Sequence, residues 1–268
     1  MGTLRGRGMM DLIRTSFTAE PATGPALARI LLEQVAGGER GATLRMARTG
    51  PAVAFGRRDT VSPAYGEAAA VAAGLGHPGI ERLSGGRATA YVGETLVLGL
   101  TLPDREAARH TVQRFDWVSG IIVSALFRLG LDASVGRLPG EYCPGDHSII
   151  LAGRRKVAGL GQRMIPGAAH VGVVLTVSGR DRLREILDPV YQALGLDWDP
   201  ATAGALAEST GGPGIEMVEE ALIDSFGREV ELRERDLDPG TLDVARERSA
   251  DYLSPLSGPS TAPLRSGE

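Results

Sequence analysis

The chain has 268 residues and a formal net charge of -4, with 43% hydrophobic and 23% charged residues, the balance of a globular protein able to bury a core. Its arginines are scattered, adjacent only at Arg57-Arg58 and Arg154-Arg155, which excludes a polybasic nucleic-acid stripe. A single cysteine excludes an internal disulfide framework and any multi-cysteine zinc site, and no apolar run reaches the length of a membrane span.

The first twenty residues read as a flexible segment without the apolar core of a signal peptide, so a cytoplasmic location is expected. Residues 24–36 have helical spacing and stop at Gly37-Gly38. Residues 43–48 alternate as a strand, Gly50-Pro51 turns, and 52–55 form a second strand. An alanine-rich helix is predicted over 66–75, a strand over 80–82, and a strand pair from 89–92 and 96–102. Residues 105–130 carry Val118, Ile121, Ile122, Ala125 and Leu126 at helical intervals. Residues 148–151 and 156–159 read as a hairpin turning at Ala152-Gly153, followed by a buried strand over 168–177. Helices are predicted over 180–194, 214–226 and 240–251. Residues 254–268, rich in Ser, Pro and Gly, read as a disordered tail. Residues 21–253 thus make one domain, of the α+β class: a mixed β-sheet flanked by helices.

Familiar motifs are discounted first. Gly74-Leu-Gly-His-Pro-Gly79 matches a dinucleotide fingerprint in letters but closes a helix instead of following a strand. No Gly-Lys-Ser/Thr phosphate loop and no Gly-x-Ser-x-Gly elbow is present, and the four histidines lack metal-ligand spacing, so no metal is expected. What stands out is scarcity. Of 29 basic side chains 28 are arginine, and the one lysine, Lys156, lies thirteen positions after the one cysteine, Cys143. A thiol is a nucleophile only when ionised, and nearby positive charge promotes that. The two are therefore candidate catalytic residues, set against the alternatives of an inert cysteine and a solvated edge charge. Cys143 lies in Gly140-Glu-Tyr-Cys-Pro-Gly-Asp146, a turn-forming run and not an apolar face. His147, four residues on, is a candidate base or a solvent-facing loop residue. Arg82-Leu-Ser-Gly-Gly-Arg87 is either a ligand-facing loop with free N–H donors or an ordinary turn.

Three stretches in this order, Pro51-Ala-Val-Ala-Phe-Gly-Arg-Arg-Asp59, Arg82-Leu-Ser-Gly-Gly86 and Gly153-Arg-Arg-Lys-Val-Ala-Gly-Leu-Gly-Gln-Arg163, resemble the lipoate-attaching family of lipoate–protein ligases and octanoyltransferases, and more distantly biotin–protein ligases. The resemblance covers about residues 24 to 230. It implies a biotin-ligase-like catalytic domain, Lys156 at the acyl carbonyl, and Arg82, Ser84, Gly85, Gly86, Arg87, Asp146, Gly159 and Gln162 around the substrate. The segment Glu141-Tyr-Cys-Pro-Gly-Asp146 resembles the cysteine loop of the transferases that take octanoyl from the glycine-cleavage H protein. That branch implies a Cys143 thioester, no cofactor, and as partners the H protein, an acyl carrier protein or the lipoyl domains of 2-oxoacid dehydrogenases, with the enzyme a monomer. The ligase branch implies ATP and Mg. A third reading is a non-catalytic lipoyl-binding homologue. The departures from the family pattern are Arg87, in place of a small residue, His147, in place of an aromatic one, and Tyr91-Val-Gly-Glu94, in place of the ligases' His-Asp pair. An apolar tunnel for the chain is expected to use Val92, Leu96 and Val157.

Overall fold

The computed structural model describes residues 8–207 and 212–255. In chain order the elements are β1 (Met9–Phe17), α1 (Thr23–Ala36), β2 (Thr43–Thr49), β3 (Ala52–Phe55), α2 (Arg57–Thr60), α3 (Tyr65–Gly74), β4 (Gly79–Glu81), β5 (Thr89–Tyr91) and β6 (Thr95–Pro103). They continue with α4 (Thr111–Arg128), β7 (Ala133–Gly136), β8 (Ser148–Leu151), β9 (Arg155–Ile165), β10 (Ala168–Thr176), α5 (Arg180–Ala193), α6 (Ile215–Glu229), β11 (Glu231–Glu234) and α7 (Pro239–Glu247).

The large sheet has the order β11-β1-β2-β6-β10-β9-β8-β7, and a small one has β4-β3-β5. The pairs β11/β1 and β1/β2 are parallel, and the rest of the large sheet is antiparallel. Strand alternation sends Leu44 and Met46 of β2, Leu96 to Leu102 of β6 at every second residue, and Val171, Val173 and Leu175 of β10 to one face. There they meet Val118, Ile122 and Leu126 of α4 and Leu222 and Phe226 of α6. Each such side chain contributes about 1.5–3 kcal/mol on burial. The opposite face is covered by α1 and α7, through Leu27, Leu31 and Ala245, and by the small sheet. The helices α3 and α5 close over the small sheet with Ala68, Ala72, Leu183, Leu187 and Val190.

The mixed sheet flanked by helices is as expected, and so is the hairpin β8–β9. Its turn residues Ala152 and Gly153 both have positive φ, 48° and 66°, as the tight hairpin connection requires. Three expectations change. The segment 1–20 is not wholly flexible: β1 lies between β11 and β2. It escapes a period-2 reading because both its faces are buried, Met10 and Leu12 on one and Ile13 and Phe17 on the other. The segments 89–92 and 96–102 are not partners, since β5 pairs with β3 in the small sheet and β6 with β2 and β10 in the large one. The tail begins later than residue 254, because Ser254 donates its N–H to Gly79 O and its hydroxyl accepts from Tyr65. Residues 1–7 and 256–268 lie outside the described residues. Among the described residues no helix is long and apolar enough to cross a membrane.

Candidate active site

Cys143 lies in the loop between β7 and β8, with φ at +43°. A non-glycine residue held there stores about 1–3 kcal/mol of strain, so neighbours must fix it. They do so on both sides of the residue. Its N–H donates to the Tyr191 hydroxyl at 2.7 Å, which in turn donates to Ala88 O. Its carbonyl accepts from Lys156 Nζ at 2.6 Å. Lys156 is the second residue of β9 and is almost fully buried. Its ammonium also donates to Tyr142 O at 3.0 Å and faces Glu141 Oε2 at 3.2 Å, a buried ion pair. Glu141 Oε1 accepts from Gly145 N and ties the loop's far end. A bulge in β9 opposite Ile149/Ile150 shifts the faces, so that Gly159 leaves room for the lysine. A Cβ at Gly159 would sit 3.3 Å from Lys156 Cε.

The loop after β4 meets the sulfur from the other side. Arg87 N donates to Cys143 Sγ at 3.2 Å, and Arg82 Nη2 lies 3.4 Å from it. Arg82 Nη2 also donates to Arg87 O at 2.6 Å, which closes the loop on itself. Gly86, between them, has φ +106°, and a Cβ there would lie 2.8 Å from Sγ. Only glycine meets both demands. Gly85 N donates to Gln162 O, and Ser84 rests over the sheet where Gly161 and Gly172 pair. Two cavities adjoin beneath this loop. One holds Cys143, Lys156, Gly159 and Gly161, and both are lined by Arg82, Ser84, Gly172 and Val174.

The electrostatics favour a thiolate. Burial pushes the Cys143 thiol up, but the charges of Arg82 and Lys156 and the hydrogen bonds from Arg82 and Arg87 N outweigh it, leaving the thiol below its ordinary value. Tyr191 and Tyr142 are held protonated, both chiefly by burial.

Of the residues singled out in the sequence, Cys143, Lys156, Arg82, Ser84, Gly85, Gly86, Gly159 and the backbone of Arg87 gather here. The Arg87 side chain does not narrow the cavity; it turns outward to Asp59 Oδ1 and Arg58 O. Asp146 stands apart, because its carboxylate is 80% exposed and pairs with Arg137. Gln162 points to the opposite side of β9, where it accepts from Arg114 Nε and donates to Thr111 O, so only its backbone reaches the loop. His147 is held by Asp116 Oδ1 at 2.8 Å and stacks on Phe115, with no hydrogen bond to the sulfur. Val92, Leu96 and Val157 belong to the packed core and line neither cavity. Sequence reasoning missed Tyr191 and the pairing role of Glu141. Tyr191 reads as an ordinary helix-face aromatic, whereas a carboxylate two residues before the cysteine was a usable signal. Among the described residues no group of three His, Cys, Asp or Glu side chains could hold a metal ion.

Known proteins resemble this chain in sequence and in fold. An octanoyl-[GcvH]:protein N-octanoyltransferase of Geobacillus kaustophilus is 28% identical over 143 residues, 53% of this chain and 50% of the relative. One from Exiguobacterium sibiricum is 30% identical over 150 residues, 54% and 52% of the two chains. The chain spans about half the length of the curated relatives it matches. In fold it is similar to protein Ta0514 of T. acidophilum solved with lipoic acid (TM-score 0.72, 19% identity, 92% and 96% of the two chains). It is also similar to a lipoate-protein ligase A bound with ATP (TM-score 0.70, 19% identity, 94% and 100%). The Lipoyl protein ligase A/B catalytic domain matches residues 20–227, from α1 to within α6 and thus across the whole thiol site, and the chain belongs to that family.

Proposed function

We propose that this chain is a cysteine-dependent acyltransferase that moves an octanoyl or lipoyl group between proteins through a thioester on Cys143. The observation that carries the reading is the sulfur itself: it accepts two N–H donors, one from a guanidinium, inside a cavity that also holds the only lysine. A structural cysteine has no need of such an arrangement.

In the first half-reaction the Cys143 thiolate attacks the carbonyl carbon of an acyl-lysine amide on the donor. A C–S bond forms, the negative charge moves from sulfur to the carbonyl oxygen, and the C–N bond then breaks as the departing amine takes a proton. Arg82 and Arg87 N–H, which stabilise the thiolate, lie next to the oxygen that inherits its charge. Lys156 assists from across the cavity, but its ammonium already donates to two carbonyls beside the Glu141 carboxylate and must give up one of these contacts to reach the oxyanion. In the second half-reaction the amine of an acceptor lysine attacks the thioester, loses a proton, and expels the thiolate. One amide is exchanged for another, with no net consumption of protons, nucleotide or metal. Asp116 and Phe115 keep His147 away from the sulfur, so water gives the proton that the departing amine takes and receives the one that the acceptor amine loses.

The relatives' names support the glycine-cleavage H protein as donor, and the E2 lipoyl domain named with one fold relative supports lipoyl domains as acceptors; acyl carrier protein is the alternative donor. Intact-mass analysis after incubation with octanoylated H protein, without ATP, is expected to show one octanoyl on the wild type and none on Cys143→Ser. Transfer to a lipoyl domain should fall by about two to four decades in that variant. The competing reading is a ligase that makes an acyl-adenylate, as the ATP-bound fold relative suggests. Strict dependence on ATP and Mg, surviving Cys143→Ser, would establish it instead.

A further inference from the structure

Asp59 is a fully buried carboxylate that the proposed reaction does not use. It is the third residue of α2. Its Oδ2 accepts from Gly56 N at 3.1 Å, and its Oδ1 accepts from Arg87 Nη1 at 3.2 Å. Burial pushes its carboxyl up, while the Gly56 N–H and the charges of Arg87 and Arg82 oppose the rise. An ion pair in water is worth little, but one sealed on the carboxylate side is costly to break.

The two partners of Asp59 flank a single peptide plane, the one between Gly86 and Arg87. Its N–H, from Arg87, donates to Cys143 Sγ at 3.2 Å. Its carbonyl oxygen, from Gly86, is packed on Gly56 so closely that a Cβ there would lie 2.2 Å from it. A peptide unit is rigid, so fixing its oxygen and its flanking residue fixes the direction of its N–H. Gly86, at φ +106°, offers no side chain to hold that direction. The hold comes from Asp59: Oδ2 secures Gly56 under the oxygen, and Oδ1 secures the side chain of Arg87. Arg87 Nη1 also donates to Arg58 O, and Arg87 O accepts from Arg82 Nη2 at 2.6 Å.

We propose that Asp59 is a positioning residue for Cys143: through Arg87 and Gly56 it aims the Arg87 N–H first at the thiolate and then at the carbonyl oxygen that inherits its charge. The proposal rests on the thioester reading and adds no bond-making step to it. A donor fixed in advance stabilises the developing charge without reorganisation.

Charge and aim predict opposite signs. The Asp59 charge is felt by Arg82 and by Tyr191, both neighbours of the sulfur. Acting by charge alone, its removal would favour the thiolate and lower the midpoint of Cys143 alkylation. Acting by aim, its removal costs the thiolate a hydrogen bond and raises the midpoint. The titratable groups that face the sulfur, Arg82, Lys156, Tyr142 and Tyr191, stay the same in every variant.

The test follows the pH midpoint of iodoacetamide alkylation together with octanoyl transfer from octanoylated H protein, the latter at a pH above the midpoint of every variant. Asp59→Leu and Arg87→Met are each expected to raise the midpoint and to lower kcat by about tenfold with KM unchanged. The double variant should lose no more than either single one, and Arg87→Lys, which can still reach Asp59, should recover most of the rate. An unmoved or lowered midpoint in Asp59→Leu, or losses that add in the double variant, overturns the proposal and leaves the thioester reading standing. Should Asp59→Leu fail to fold, the comparison of Arg87→Met with Arg87→Lys decides, and equal rates in those two overturn it. Failure of the donor to acylate wild-type Cys143 removes the thioester reading, and the alkylation midpoints then still decide whether Asp59 aims the N–H at the sulfur.

Discussion

The two ends of the joined cavity are built on opposite principles. At the thiol end most polar groups are satisfied, Arg82 Nε and Glu141 Oε2 excepted: Sγ has two donors, the Cys143 N–H and C=O each have a partner, and Lys156 donates to two carbonyls beside Glu141. At the far end, lined by Arg45 of β2, Tyr91 and His170, Arg45 Nε and Nη1 are buried without a hydrogen bond. Satisfied networks in a medium of low dielectric are rigid, and unsatisfied ones cost several kcal/mol until a ligand completes them. The contrast teaches a division of labour: the protein's own hydrogen bonds hold the reacting atoms in place, whereas the far end carries a buried charge that no such network fixes.

The largest effect is expected where a satisfied charge loses its partner. Lys156→Met leaves Glu141, which is fully buried, with only the Gly145 N–H. That should cost about 3–5 kcal/mol in chemical denaturation, and Lys156→Met/Glu141→Leu should recover a good part of it. No recovery in the double variant would mean that the pair does not act as a unit. Next comes Gly86→Ala. The added methyl would press on the sulfur and force alanine to φ +106°, so stability should fall by about 1–3 kcal/mol and transfer by about two decades. Wild-type transfer rates in that variant would show that the loop is looser than its contacts imply.

How much of this division was legible beforehand follows from chain distance. Cys143, Lys156 and the 82–87 loop announce themselves through rarity and glycine spacing, and the helix spacing of Val118 to Leu126 gives α4, although the segment 105–130 starts six residues before its first residue, Thr111. Contacts that depend on register were hidden. Nothing local says that Arg45, Gly99, Gly172 and Gly161 form one row, because these strands are far apart in sequence and the bulge in β9 shifts the faces. The family resemblance puts Gln162 at the substrate, yet strand alternation turns its side chain away. The resemblance puts Asp146 there too, while its carboxylate faces solvent. The strands β1 and β11 were lost for a related reason: one is buried on both faces, and the other is a polar edge held only by pairing with β1.

The thiol end can be sharpened by titration. Above its pKa the sulfur is a thiolate, so alkylation by iodoacetamide should rise with pH around a midpoint below that of a free cysteine, since Arg82 and Lys156 outweigh burial. Arg82→Gln removes the charge with the stronger influence on the thiol, and a hydrogen bond, so the midpoint should move upward. An unmoved midpoint would assign the activation to Lys156 and the Arg87 N–H alone.

The last effect belongs to the far end and appears only as a slope of stability with pH. His170 is neutral in the folded state down to about pH 3, mainly through burial and then through Arg45, whereas an unfolded histidine takes up a proton near 6.5. Below that value the unfolded chain binds one more proton than the folded one, so folded stability from this group is complete above pH 6.5 and drains away as the pH falls toward 3. One proton corresponds to at most about 1.4 kcal/mol per pH unit. Denaturation of wild type and His170→Gln at a series of pH values isolates it, because the carboxylates common to both cancel in the difference. The wild type should lose stability more steeply by up to that amount between pH 6 and pH 4, a range spanned by the values near 6.5 and 3. Parallel curves would mean that His170 takes up its proton in the folded state as readily as in the unfolded one, so that neither burial nor Arg45 holds it neutral.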